Sequence, residues 1–395
     1  MKTLGLSARA AALRPSPTLA ITAKANSLRA EGKDVISFAA GEPDFNTPDS
    51  ICEAAIDAIH KGFTKYTPSA GTKDLKDAIV SKLATENGLI VAPDQVVVSC
   101  GAKHSLYNVM QTLLEPGDEV ILLAPYWMTY AEQVKLAEGV PVVIHCAAEA
   151  GFVPTFDQLK AAISPRTKML VLNSPSNPTG AVLPRETLKE IAALALRHGF
   201  WVVSDEIYER LVYGVTPQCF ASLGKEIAEQ TITIGGVSKT YAMTGWRIGF
   251  AAGPKWVAAG MSHLQDQVTS NPTSFAQVGA AAAFRMPASS VETMRAEFEA
   301  RRDIILAGLR AIPDVKVPTP EGAFYAFPDF SAYLSPEIPD DLALATYLLD
   351  EAEVAVIPGS VFEGPGHLRL SYAASRDNIQ RGLERIEKAV RKLRA

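Results

Sequence analysis

From about residue 50 to residue 285 the chain alternates short, β-rich apolar runs with longer helical stretches, and this alternation limits its fold more than any other feature. The runs lie at 95–99, 119–123, 140–145, 168–172, 201–204, 231–234 and 248–252. Most are nearly continuous in apolar residues, the mark of strands covered on both faces. Between them come helical patterns such as 104–114 and 185–198, the second following Pro184. The order predicts an α/β fold: a mostly parallel, seven-stranded sheet sandwiched by helices.

At 395 residues with 48% hydrophobic content, the chain exceeds what one small core absorbs, so two domains are expected. After about Pro287 the pattern changes to a charged helix over 291–309. Shorter strands follow near 322–328, 354–357 and 368–371, then an amphipathic helix over 376–392. The expected division is a large domain at 48–287 and a smaller α/β domain at 288–395, joined by the N-terminal segment 1–47.

A net charge of −5, from 38 basic and 43 acidic residues, offers no polyanion-binding surface, so nucleic acid is not an expected partner. No apolar run approaches the ~18 residues of a membrane span, and no apolar signal stretch follows Lys2, Arg9 and Arg14. Cys52, Cys100, Cys146 and Cys219 are widely spaced, without Cys-x-x-Cys or a His at ligand spacing. Reduced thiols, no metal site and a cytoplasmic location are the expectation.

In open α/β sheets ligands sit beyond the carboxyl ends of the strands, and reactive residues collect there. Ser238-Lys239-Thr240 follows the run 231–234 and a Gly235-Gly236 turn; alone, Lys239 also suits a surface cation. Eight residues on, Arg247 precedes another apolar run, where a planar guanidinium calls for an anion such as phosphate. Asp205 closes the run 201–204, where an unpaired carboxylate would cost several kcal/mol. Either it caps a following helix or it pairs with a buried cation such as a protonated pyridine nitrogen. Tyr208, three residues on, and Asn177, in the turn 173–180, are then placed to meet an oxygen on the same ring; Asn173 reads as turn chemistry. Gly101 and Ala102, with Lys103, open a helix whose free N–H groups suit a phosphate.

The set formed by Ser238, Lys239 and Arg247, by 204–208 (Ser-Asp-Glu-Ile-Tyr), by 177–180 (Asn-Pro-Thr-Gly) and by 40–45 (Ala-Gly-Glu-Pro-Asp-Phe) closely resembles the class I aminotransferases. These are pyridoxal-phosphate enzymes of fold type I. The chain looks most like the bacterial aspartate aminotransferases, including those that accept prephenate. The resemblance implies that Lys239 carries the cofactor covalently and shuttles a proton between substrate and cofactor. It implies that Asp205 holds the ring nitrogen, that Tyr208 and Asn177 contact the ring oxygen, and that Gly101, Ala102, Ser238 and Arg247 surround the phosphate. Tyr66 resembles the tyrosine that reaches the phosphate across a homodimer interface, and Trp127 the aromatic stacked on the ring. Arg369 matches the clamp for the substrate α-carboxylate, with Gly41 nearby. For the distal carboxylate the second arginine of animal-type enzymes has no counterpart here, and Lys103, Ser16 and Thr18 match the bacterial device instead. Amino acids and 2-keto acids are the implied substrates. Aromatic or alanine aminotransferases and carbon–sulfur lyases of the same fold remain alternatives at this point.

Overall fold

A computed structural model describes residues 5–13, 17–287 and 289–394, with the backbone only at 8, 12 and 17–19. Seven strands form the central sheet: β1 (Val96–Ser99), β2 (Glu119–Ala124), β3 (Val140–His145), β4 (Thr167–Asn173), β5 (Trp201–Asp205), β6 (Thr231–Gly236) and β7 (Gly249–Ala252). Their order is β1-β7-β6-β5-β4-β2-β3, and only β7 runs against its neighbours. Both faces are covered. Val97, Val120, Leu122, Val171 and Val203 pack with the helices Ala102–Leu113 and Lys255–Val268, while Val98, Ile121, Leu170 and Val202 enter the cores on the opposite side. Each fully buried side chain of this size contributes ~1.5–3 kcal/mol, which is why the strands read as unbroken apolar runs.

Helix boundaries follow local chemistry. Arg185–His198 begins after Pro184 and ends at Gly199, whose left-handed backbone (φ 74°) lets its N–H return to the Ala195 carbonyl. Its Leu188, Ile191, Ala192 and Ala195 supply the buried stripe. The final helix, Arg376–Lys392, starts where Ser375 Oγ accepts the Asn378 N–H at 3.2 Å.

Several boundaries differ from expectation. β4 and β5 run one residue further, because Asn173 and Asp205 are still paired across the sheet. The expected strand at 322–328 is only Tyr325–Ala326, since the Gly322 and Ala323 N–H groups turn to the carbonyls of Gly180 and Leu211. The strand expected at 354–357 divides, with Val354–Ala355 pairing parallel to Ile36–Ser37 and Ile357–Pro358 pairing antiparallel to Leu368–Ser371. The N-terminal strand thus joins the C-terminal part of the chain and leads directly to Gly41. Among the described residues no helix is long and apolar enough to cross a membrane.

Candidate active site

Parallel pairing sets the carboxyl ends of β4, β5 and β6 side by side, so Asn173, Asp205 and the turn bearing Ser238 and Lys239 open on one edge. There a cavity of about 580 Å³ is lined by Gly41, Ala102, Lys103, Trp127, Asn177, Asp205, Tyr208, Ser238, Lys239, Arg247 and Arg369. The sequence marked these residues; Met128, Tyr130, Gln133 and Tyr325, which also line the cavity, it did not.

Lys239 Nζ donates to the Gly41 carbonyl at 2.6 Å. Burial pushes its pKa down to about 8; Glu42 opposes this, and the charges of Arg369 and Arg247 reinforce it. An amine in that range has a usable neutral fraction near pH 7. Asp205 is buried, and burial lifts its pKa to about 6. The shift is restrained by the Tyr130 hydroxyl, which donates to Oδ2 at 2.7 Å, and by the Ile207 N–H, which donates to Oδ1 at 3.3 Å.

Arg369 is 2% exposed, and its guanidinium donates to Asn177 Oδ1 at 3.1 Å and to the Ala39 carbonyl at 2.8 Å. Both acceptors are neutral. Its Nε is buried without a partner, and rings of Tyr325 and Phe362 lie 4.6 and 5.1 Å from its central carbon. A buried cation held only by neutral groups is an open site for a carboxylate. Tyr208 Oη lies 2.9 Å from Tyr325 Oη, and the Asn177 N–H is fixed by Asn173 Oδ1 at 2.9 Å.

At the opposite end, Gly101 (φ 88°) precedes the helix Ala102–Leu113, which begins two residues earlier than expected. A Cβ on Gly101 would stand 2.5 Å from Arg247 Nη2, so the guanidinium lies directly against the helix start. Arg247 itself holds a left-handed backbone (φ 56°), a costly conformation for a side-chain-bearing residue. Free N–H groups, a guanidinium and the buried Ser238 together can hold a phosphate. Lys103 Nζ sits over the Trp127 ring, 4.6 Å from its centre, and its pKa is lowered by burial and by Arg247.

Not all expected residues join the cavity. Tyr66 is 91% exposed and outside the lining of this single chain. Ser16 lies outside the described residues, and Thr18 is described only as backbone within the helix Pro17–Ala30. Two contributors carry no sequence signal of their own: Tyr130, an ordinary apolar helix position, and Tyr325, embedded in the run 322–328.

The family model for aminotransferase class I and II matches residues 33–386. This chain belongs to the class I and II aminotransferases. It is 50% identical over 387 residues to the aspartate aminotransferase of Geobacillus stearothermophilus, covering 97% of this chain and 98% of that one. It is 46% identical to the aspartate/prephenate aminotransferase of Thermus thermophilus, covering 98% and 99%. The solved structure of Thermus thermophilus aspartate aminotransferase with maleate superposes with a TM-score of 0.94 at 45% identity, covering 98% of this chain and all of that one. As an aminotransferase of this family, the chain uses pyridoxal phosphate to move amino groups between amino acids and 2-keto acids.

Proposed function

We propose that the chain transfers the amino group of L-aspartate to 2-oxoglutarate, with Lys239 carrying the cofactor and Arg369 holding the substrate α-carboxylate. The observation that carries this reading is the buried Arg369 guanidinium, whose Nε has no partner and whose acceptors are neutral, facing the same cavity as the Lys239 amine. The names of the relatives support aspartate as donor and prephenate as a second acceptor to test.

Three features fit pyridoxal phosphate. The notch at Gly101 would be filled by any Cβ, Asp205 is a buried carboxylate able to meet a ring cation, and Lys239 is a buried amine with a lowered pKa. When bound, the cofactor supplies an aldehyde for the amino group and a cationic ring that withdraws electrons from the bond being broken. The chain's residues do the rest. Arg247, Ser238 and the Ala102 N–H would hold the phosphate, with Gly101 leaving room for the approach because its own N–H is taken by the Ser99 carbonyl. Asp205 would keep a proton on the ring nitrogen, because giving it up would leave the buried carboxylate without a cationic partner. Tyr208 and Asn177 would meet the ring oxygen, and Trp127 would cover the ring. The Lys239 amine, freed when the incoming amino acid takes its place, would take the proton from the substrate α-carbon and deliver it to the cofactor's former aldehyde carbon, on the far side of the shared nitrogen. Lys103 would meet the distal carboxylate. Tyr66 completes the phosphate site of a second copy in a homodimer.

Two domains are part of the same reading, 48–287 and 288–395 with 1–47, supported by the pairing of Ile36–Ser37 with Val354–Ala355.

The direct test is kcat/KM for aspartate, phenylalanine and alanine with 2-oxoglutarate, and for glutamate with oxaloacetate. Aspartate is expected to lead. Preference for phenylalanine or alanine, or release of a sulfur leaving group in place of transfer, would overturn the assignment.

A further inference from the structure

Tyr130 has no part in the chemistry just described, yet it touches the centre of it. It lies in the helix Thr129–Leu136 with 2% of its surface exposed. Its ring meets Trp127 edge-on, centroids 5.5 Å apart at 89°. One turn further along, Gln133 Nε2 donates to the Lys103 carbonyl at 2.9 Å. The hydroxyl of Tyr130 donates to Asp205 Oδ2 at 2.7 Å. One short helix therefore ties together the aromatic wall, the start of the anion cradle and the buried carboxylate.

We propose that Tyr130 is the positioning residue that aims the Asp205 carboxylate and keeps it ionised for the cofactor's ring nitrogen. The inference rests on the cofactor role given to Asp205 above.

Burial alone drives Asp205 toward its neutral form, which would not stabilise a cationic ring. The groups facing it are few. Lys239 approaches from the turn after β6, Tyr208 and the Ile207 N–H belong to its own segment, and Tyr130 comes from the helix Thr129–Leu136. Among the described residues, Tyr130 is the one side chain that donates a hydrogen bond to this carboxylate. A phenol bonds a carboxylate more strongly than a carboxylic acid, so its presence favours the charged form. Tyr130 keeps its own proton, because burial and the adjacent Asp205 charge raise its pKa well above the ordinary phenol value. It is thus a standing donor, with no proton handed over. Oδ2 is occupied by Tyr130 and Oδ1 takes only a longer bond from Ile207, which leaves Oδ1 the freer oxygen for the cavity.

The test compares wild type with Tyr130→Phe, loading cofactor-free protein with pyridoxal phosphate across pH 5–9 and reading affinity by absorbance. Affinity is lost as pH falls through the Asp205 pKa, since the protonated acid no longer meets a cation. Removing the donor raises that pKa, so the loss should begin about 1–2 pH units higher in the variant. With aspartate, kcat should fall while KM changes little. Tyr130→His, which retains a ring donor, should recover part of the shift. A lower Tm with an unchanged pH dependence in both variants would make Tyr130 merely structural and overturn the inference. Failure of wild type to bind the cofactor at Lys239 would instead bring down the underlying reading, and this one with it.

Discussion

At the scale of single residues, the account turns on charges kept from water. Lys239 has a pKa near 8 because it is buried, and the guanidinium groups of Arg369 and Arg247 add to the effect. Covalent loading of cofactor-free protein by pyridoxal phosphate needs the neutral amine. Its rate should therefore rise about tenfold per pH unit below about 8 and level off above. A rate independent of pH between 6 and 8 would contradict the buried-amine picture. Lys103 lies over Trp127 in the same cavity, so Lys103→Ala should cost about 1.5–3 kcal/mol in kcat/KM for dicarboxylates, roughly ten- to a hundredfold, with phenylalanine little affected. Equal losses for both donor types would remove Lys103 from the distal carboxylate. The residues with unusual demands were legible in the sequence: Lys239 after a Gly-Gly turn, Asp205 at the end of an apolar run, Arg369 within one. Tyr130 and Tyr325 were not, because a buried tyrosine in an apolar pattern is ordinary and only the fold brings its hydroxyl to a partner.

At the scale of elements, strand ends and helix starts place the chemistry. The turn from β1 into the helix Ala102–Leu113 needs a residue that accepts φ 88° and leaves room for Arg247. Gly101→Ala should lower stability of the cofactor-free protein by about 1–3 kcal/mol, read from its denaturant midpoint, and weaken phosphate binding as Arg247 is displaced. Wild-type stability and affinity would show that the close approach is not required. Element types were readable because both faces of the sheet are buried, which leaves little ambiguity in runs such as 95–99 or 168–172. The short strands after residue 320 were less legible. Tyr325–Ala326 and Val354–Ala355 are two residues long, and their limits depend on backbone partners as distant as Gly180, Leu211 and Ile36. No local pattern encodes such partners.

At the scale of the whole molecule, one chain brings together nearly the full set of expected side chains but leaves Tyr66 91% exposed. Near it in the chain, Ile56, Ile59 and Phe63 are also exposed, an apolar surface suited to a second copy. Sedimentation should give a dimer. Tyr66→Phe should leave that dimer intact and weaken cofactor binding about ten- to a hundredfold, the worth of one hydrogen bond to a charged phosphate. A monomer that binds the cofactor fully would refute the shared site. The central claim concerns a single bond, and borohydride reduction of the pyridoxal-phosphate-loaded protein followed by peptide mass mapping tests it most directly. The account predicts the cofactor's mass on the peptide containing Lys239 and its absence from Lys239→Ala; label on Lys103 or another lysine, with Lys239 unmodified, would contradict it.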